Sequence, residues 1–190
     1  MTTPQLEPET PQTPAPEELA AQGEQEKQMK RTMIAVVIGA VEIQEGASIW
    51  YGAVLRGDIA AITVGRNTNI QDNCTVHTDR GHPAVIGTGV TVGHHAVIHG
   101  CAIENHCLIG IGAIILSGAV IGEGSVIAAG AVVKEGQCVE PGMLMTGVPA
   151  AAKRSLNTDE QRLLHQPAAT YTELARVHRA QAEPLSRSRA

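Results

Sequence analysis

From Ile103 onward the chain repeats itself every six residues. It reads IENHCL, IGIGAI, ILSGAV, IGEGSV, IAAGAV, VKEGQC and VEPGML, which sets Ile103, Ile109, Ile115, Ile121, Ile127, Val133, Val139 and Met145 in one frame. The fifth position is small in the first five of these units: Cys107, Ala113, Ala119, Ser125, Ala131. The frame extends upstream through Val37, Ile43, Ile49 and Leu55, then Val64, Ile70 and Val76, then Ile86, Val92 and Ile98. It carries insertions after Leu55 and Val76 and lacks one residue after Ile98. A period of six matches neither the 3.6 of a helix nor the 2 of a simple strand. It matches short strands joined at corners, each side sending one large aliphatic and one small residue inward. Three sides close a triangular coil of about 18 residues, and coils stack like parallel strands about 4.8 Å apart. The eighteen rows therefore predict a mainly β chain, a parallel β-helix of about six triangular coils. Residues 33–150 make the coil.

The composition agrees with so narrow an interior. Hydrophobic residues reach 43% while aromatics make up 2%, and residues 52–170 contain no aromatic at all. Trp50 and Tyr51 follow Ile49 as second and third in its row, so they are expected to point outward, with none of the aromatics in the core. Glycines supply the corners, where positive φ is needed. A chain without aromatics to stack on bases, carrying a net charge of −5, is expected to bind no nucleic acid. It has no apolar run of the roughly 18 residues a membrane span requires, so no membrane partner is expected. The acidic start lacks the marks of a secretory signal. Cys74, Cys101, Cys107 and Cys138 show no C-x-x-C spacing and read as buried fillers in a reducing, cytoplasmic setting.

Two flanking segments differ in character. Residues 1–32 carry five prolines and six glutamates with few apolar groups, the signature of a disordered acidic Pro/Glu/Gln-rich tail. Residues 151–190 read as helical. Asn157 or Thr158 can cap a helix with Asp159 and Glu160 in its first turn, and Pro167 breaks or kinks it. Beyond Pro167, Tyr171, Leu174, Ala175 and His178 share a face that would pack alongside the prism.

Row arithmetic places the histidines. His77 and His99 are each second in their rows, and Val76 and Ile98 are separated by three sides, one full coil. The two imidazoles thus share a corner of adjacent coils, close enough to bind one metal. Arg56, second in the row of Leu55, heads the same column. His94 is third in the row of Val92, on a different side of the prism, and Gln71, second in the row of Ile70, lies one coil before Gly93 and beside His94. His94 joins the pair only if a second copy presents it, so a metal site of His77, His94 and His99 requires a homotrimer with cyclic symmetry. His95 is the rival of His94, whereas His82, His106, His165 and His178 read as surface histidines.

The segments LRGD (55–58), NIQDNCTVH (69–77), VGHHAVIHGC (92–101) and GAVIGEGSVIAAGAVV from Gly118 resemble the γ-class carbonic anhydrase group of hexapeptide-repeat proteins, over about residues 33–180. The resemblance implies a left-handed coil with zinc on His77, His94 and His99. It implies Arg56 and Asp58 paired across a subunit interface, Asn69 and Gln71 in the active site with Gln71 orienting the reactants, and Tyr171 as a site tyrosine. The implied reaction is hydration of CO2 to bicarbonate. The loop after the first ligand is short (Thr78 to Ala84) and lacks a glutamate, and Ile59 replaces an acidic residue, which resembles the short-loop branch. Iron and cobalt accept the same imidazoles as zinc. Two other function classes stay open. The turn Gly147-Val148-Pro149-Ala150 resembles that of hexapeptide acyltransferases, with a metal-dependent acyl-CoA thioesterase as a related possibility, and a non-catalytic trimeric scaffold is the third reading.

Overall fold

A computed structural model describes residues 35–181; the tail expected over 1–32 lies outside the described residues. Parallel strands build three walls. The first wall stacks the leading half of β1 (Val36–Ile43), the leading half of β3 (Val54–Val64), β5 (Thr75–His77), β8 (Val97–His99), β11 (Ile114–Ile115) and β14 (Val132–Val133). The second stacks the trailing halves of β1 and β3 with β6 (Ala84–Ile86), β9 (Ala102–Ile103), β12 (Val120–Ile121) and β15 (Cys138–Val139). The third runs through β2 (Ser48–Ile49), β4 (Asn69–Ile70), β7 (Thr91–Val92), β10 (Leu108–Ile109), β13 (Val126–Ile127) and β16 (Met143–Thr146).

Every row aliphatic meets its counterpart one coil away. Val37 pairs Leu55, then Val76, Ile98, Ile115 and Val133 down the first wall. Ile43 leads to Val64, Ile86, Ile103, Ile121 and Val139 down the second. Ile49 leads to Ile70, Val92, Ile109, Ile127 and Met145 down the third. The interior rows from Leu55 to Val133 are sealed from solvent, as are the small residues Ala96, Cys107, Ala113, Ala119 and Ala131. At the first coil the ladder ends, and Val37 and Ile43 are 46% and 41% exposed.

Corner geometry explains the glycines. The fourth residue of most rows adopts positive φ, for example Gly112 at 66° and Gly130 at 67°. Asn67, Asn73, His95 and His106 take the same conformation at the corners without glycine, consistent with the tolerance of Asn and His for the left-handed region. Second-position glycines serve a different need: a Cβ on Gly110 would stand 2.4 Å from the backbone nitrogen of Ala129.

The insertion after Leu55 is not a loop. It keeps β3 continuous for 11 residues, so that one strand turns the corner and serves two walls. Thr78, fully buried, locks this extension by accepting from Ala60 N–H at 3.0 Å. The insertion after Val76 closes as a tight turn bridged between Asp79 and His82.

The C-terminal segment departs from a purely helical reading. After the last coil, β17 (Ala151–Ser155) runs antiparallel to β16 and extends the third wall by one strand. Helix α1 (Thr158–Leu163) starts from an Asn157 capping box, in which Asn157 Oδ1 accepts from Glu160 N–H and Glu160 Oε2 accepts from Asn157 N–H, both at 2.9 Å. Arg154 forks onto the same carboxylate and, with the cap, pulls Glu160 down to about 2. The helix breaks at Leu164 rather than at Pro167, which instead sits in the first turn of α2 (His165–Gln181), where a missing N–H costs no helical bond.

Helix α2 packs on β2 and β4 of the third wall through Ala168, which is buried, together with the partly covered Tyr171, Thr172 and Ala175; Leu174 stays 40% exposed, off that face. This covering corrects the expectation for Trp50. Its ring points out of the prism, yet it is only 9% exposed, because Tyr171 meets it edge-on at 5.0 Å and His178 at 5.1 Å. The cysteine expectation also needs correction. Cys74, Cys101 and Cys107 are buried, and burial pushes their thiols up to about 11, 12 and 11, but Cys138 is exposed. None of the described helices is long and apolar enough to cross a membrane.

Candidate metal centre

The first-wall column carries two of the three histidines. Backbone register sets Arg56 opposite His77 and His77 opposite His99, because each is the second residue of a row and the rows stack in phase. Their rings turn toward one another, with His77 Nδ1 3.2 Å from His99 Nε2. Two nitrogens held by one tetrahedral ion at about 2.0–2.1 Å are about 3.3–3.4 Å apart, so the pair fits a shared metal. Their outer nitrogens are engaged as well. His77 Nε2 is 3.1 Å from Asp58 Oδ1, and His99 Nδ1 is 2.9 Å from Ser117 Oγ. A metal-binding imidazole commonly has its second nitrogen held by an oxygen in this way.

Asp58 is itself clamped. The Arg56 guanidinium hydrogen-bonds its other oxygen, Oδ2, and this contact, with a smaller contribution from His77, holds its carboxyl below the usual carboxylate range. Arg56 and Asp58 therefore pair within one chain, both side chains roughly half exposed. Their shared position on β3 follows from the strand period: residues two apart point to the same face.

The remaining residues gather on the third wall. Gln71 and Asn69 are 5% and 1% exposed and form a directed chain. Gln71 Nε2 donates to Asn69 Oδ1 at 3.0 Å, and Asn69 Nδ2 donates to Thr91 Oγ1 at 2.9 Å. That chain sets the Gln71 amide with its oxygen as a remaining acceptor. One coil on, His94 Nδ1 is 2.9 Å from Asp72 Oδ2, leaving Nε2 as its available ligand atom. Tyr171 lies beside this group; burial, and then the Asp72 carboxylate, raise its hydroxyl above the usual tyrosine range. His95, in the left-handed corner conformation at φ 59°, is exposed.

Thus the structure brings Arg56, Asp58, His77 and His99 together, and separately Asn69, Gln71, His94 and Tyr171. It does not join the two sets in one chain: among the described residues no group of three His, Cys, Asp or Glu side chains stands ready to hold a metal. Two further contributors complete these groups, of which Ser117 alone escapes a reading by motif. Asp72 is third in the row of Ile70, the same column as His94, so row arithmetic contains it. Ser117 follows from a corner whose path depends on the residue missing after Ile98. Because His94 is pinned by Asp72 whereas His95 is a corner residue, His95→Gly is expected to keep full metal content and His94→Ala to lose it, by elemental analysis. The reverse pattern would exchange their roles.

Comparison with known proteins follows the same lines. The family described as bacterial transferase hexapeptide (six repeats) matches residues 100–135. Gamma carbonic anhydrase 1, mitochondrial, of Arabidopsis thaliana is 44% identical over 159 residues, 80% of this chain; the chain spans only 58% of that protein's length. A Methanocaldococcus jannaschii protein named "Probable carbonic anhydrase" is 48% identical over 74% of this chain and 89% of its own. The carbonic anhydrase of Geobacillus kaustophilus is 40% identical over 76% and 79% of the two chains. Among solved structures, a hexapeptide transferase family protein from Anaplasma phagocytophilum superposes with a TM-score of 0.67 at 39% identity, covering 75% of this chain and 91% of that one. With a stacked six-residue repeat and relatives at these identities over about three quarters of its length, the chain belongs to the γ-class carbonic anhydrase family of hexapeptide-repeat proteins.

Proposed function

We propose that the protein is a zinc-dependent carbonic anhydrase that hydrates CO2 to bicarbonate as a homotrimer, each site combining His77 and His99 with His94 of the partner subunit. The observation that carries this reading is the imidazole pair: two ring nitrogens face each other at 3.2 Å while both outer nitrogens are occupied by oxygens. The named activities of relatives support the reaction class. When bound, zinc supplies Lewis-acid activation of water, making hydroxide available near neutral pH.

The protein's own groups do the rest. Asp58, kept ionised by Arg56, accepts from His77 Nε2–H and so holds the ring with Nδ1 unprotonated. Asp72 does the same at His94 Nδ1, leaving Nε2 unprotonated. The Gln71 amide, oriented through Asn69 and Thr91, accepts a hydrogen bond from the attacking oxygen and aims it at the CO2 carbon. Hydration releases one proton, which leaves to buffer.

A site shared between subunits makes a specific demand. His77→Ala and His94→Ala proteins should each be inactive alone. Unfolded, mixed in equal amounts and refolded together, they should recover about a quarter of wild-type zinc and CO2 hydration, because each mixed threefold ring restores one site in three. No recovery from a refolded mixture, under conditions where wild type regains activity, would rule out the shared site.

A further inference from the structure

The structure assigns Ser117 as the positioning residue for His99, a hydroxyl that serves one tautomer of the ring before metal binds and the other afterwards. This inference rests on the metal reading above and deepens it.

The residue missing after Ile98 creates the contact. Register pairs Ile115 with Ile98 and Val120 with Ala102, so the four residues Leu116 to Ala119 face only His99, Gly100 and Cys101. The longer corner must double back over the shorter one. Gly118 N–H donates to Gly100 O at 2.7 Å and Gly100 N–H to His77 O at 2.9 Å, which ties three successive coils together at this point. Gly100 itself adopts φ 52°, and a Cβ there would stand 2.9 Å from His82 O. Across this corner Ser117 sets its Oγ 2.9 Å from His99 Nδ1.

The hydrogen-bond chain then dictates the protons. A carboxylate oxygen only accepts, so Asp58 Oδ1 takes the Nε2–H of His77, and His77 Nδ1 is a bare acceptor. Across the 3.2 Å gap His99 Nε2–H must donate to it, which leaves His99 Nδ1 bare. Ser117 Oγ–H donates there. With both imidazoles uncharged beside the Asp58 carboxylate, every bond in the chain has one proton.

A nitrogen that ligates a metal carries no proton. Loading the pair therefore requires the His99 proton to move from Nε2 to Nδ1, and Nδ1–H then needs an acceptor. A hydroxyl both donates and accepts; a carboxylate, an ammonium or an alanine at 117 serves at most one of the two states. Asp58, by contrast, faces a ring whose outer proton stays in place throughout, and an acceptor-only group suffices.

The test uses two variants and two readouts. Zinc affinity, measured by competition with a chromophoric chelator, should fall about 10–100-fold in Ser117→Ala and return toward wild type in Ser117→Thr, with the thermal midpoint of chelated protein unchanged. Nitrogen-15 NMR of the imidazoles should show wild-type His99 as the Nε2–H tautomer without zinc and the Nδ1–H tautomer with it, and Ser117→Ala still as the Nε2–H tautomer without zinc, because His77 Nδ1 continues to accept that proton. Wild-type zinc affinity in Ser117→Ala, or a wild-type His99 that keeps one tautomer with and without zinc, would overturn the assignment. If the wild-type protein takes up no zinc, the metal reading itself falls, a result distinct from a zinc-binding wild type whose affinity Ser117→Ala leaves unchanged.

Discussion

His99→Ala is expected to leave the protein without zinc and to lower CO2 hydration by more than about 100-fold, beyond the upper end of what removing an outer-shell partner costs. The substitution takes away Nε2, one of the two facing nitrogens 3.2 Å apart, and a third imidazole from another wall cannot make up the loss. It should do so without unfolding the coil. The side chain of His99 points out of the prism, while the inward neighbour Ile98 and the backbone pairing with β5 and β11 are untouched. The measurement is one preparation of each protein assayed for zinc, CO2 hydration and hydrolysis of a CoA ester, with circular dichroism as a check on folding. A variant that keeps both its zinc and its rate would remove the enzyme reading. A wild type that cleaves the CoA ester but leaves CO2 untouched would favour the thioesterase instead.

The second large effect is on stability. Ile109→Ala removes three carbons from a side chain fully sealed between Val92 and Ile127 on the third wall. Coils held in register by backbone ladders cannot collapse sideways into the gap, so the cavity should persist. The expected cost is about 2–5 kcal/mol. For a chain of this size that lowers the thermal midpoint on the order of 5–20 °C, read on chelated protein at fixed concentration so that neither metal nor assembly shifts the baseline. Ile111→Ala is the matched control. Two residues along, that side chain is 57% exposed, and its loss should stay within about 0.5 kcal/mol. Equal effects at both positions would contradict an interior filled one row at a time.

Ile109 and Ile111 show why so much of this fold is legible in the chain itself. In a stack of identical sides, inward or outward is a matter of counting by six, and all eighteen row residues pair in the register that counting predicts. The same count sets His77 over His99 and Asp72 over His94, because a column on a regular prism is a local property repeated. Counting fails where the coil is irregular or where something lies on top of it. It expected Trp50 to face outward and did not reveal that α2 would cover it, since helix docking depends on Ala168 and Tyr171, more than 100 residues away in sequence. It read 151–155 as part of a helical segment, whereas the free edge of β16 offers backbone partners that recruit β17. It treated the insertion after Leu55 as an interruption, although buried Thr78 draws those residues into a continuous strand.

At the metal centre the division is equally physical. The residue types and their rows, and hence the pairing of His77 with His99, are determined by the sequence alone. Which nitrogen of each ring faces the other, that Asp58 turns to His77 with Arg56 behind it, and that Ser117 reaches His99 across the short corner at Gly100 were decided only by the tertiary structure. Hydrogen-bond direction depends on sub-ångström placement of groups from different coils, and no period in a sequence encodes that.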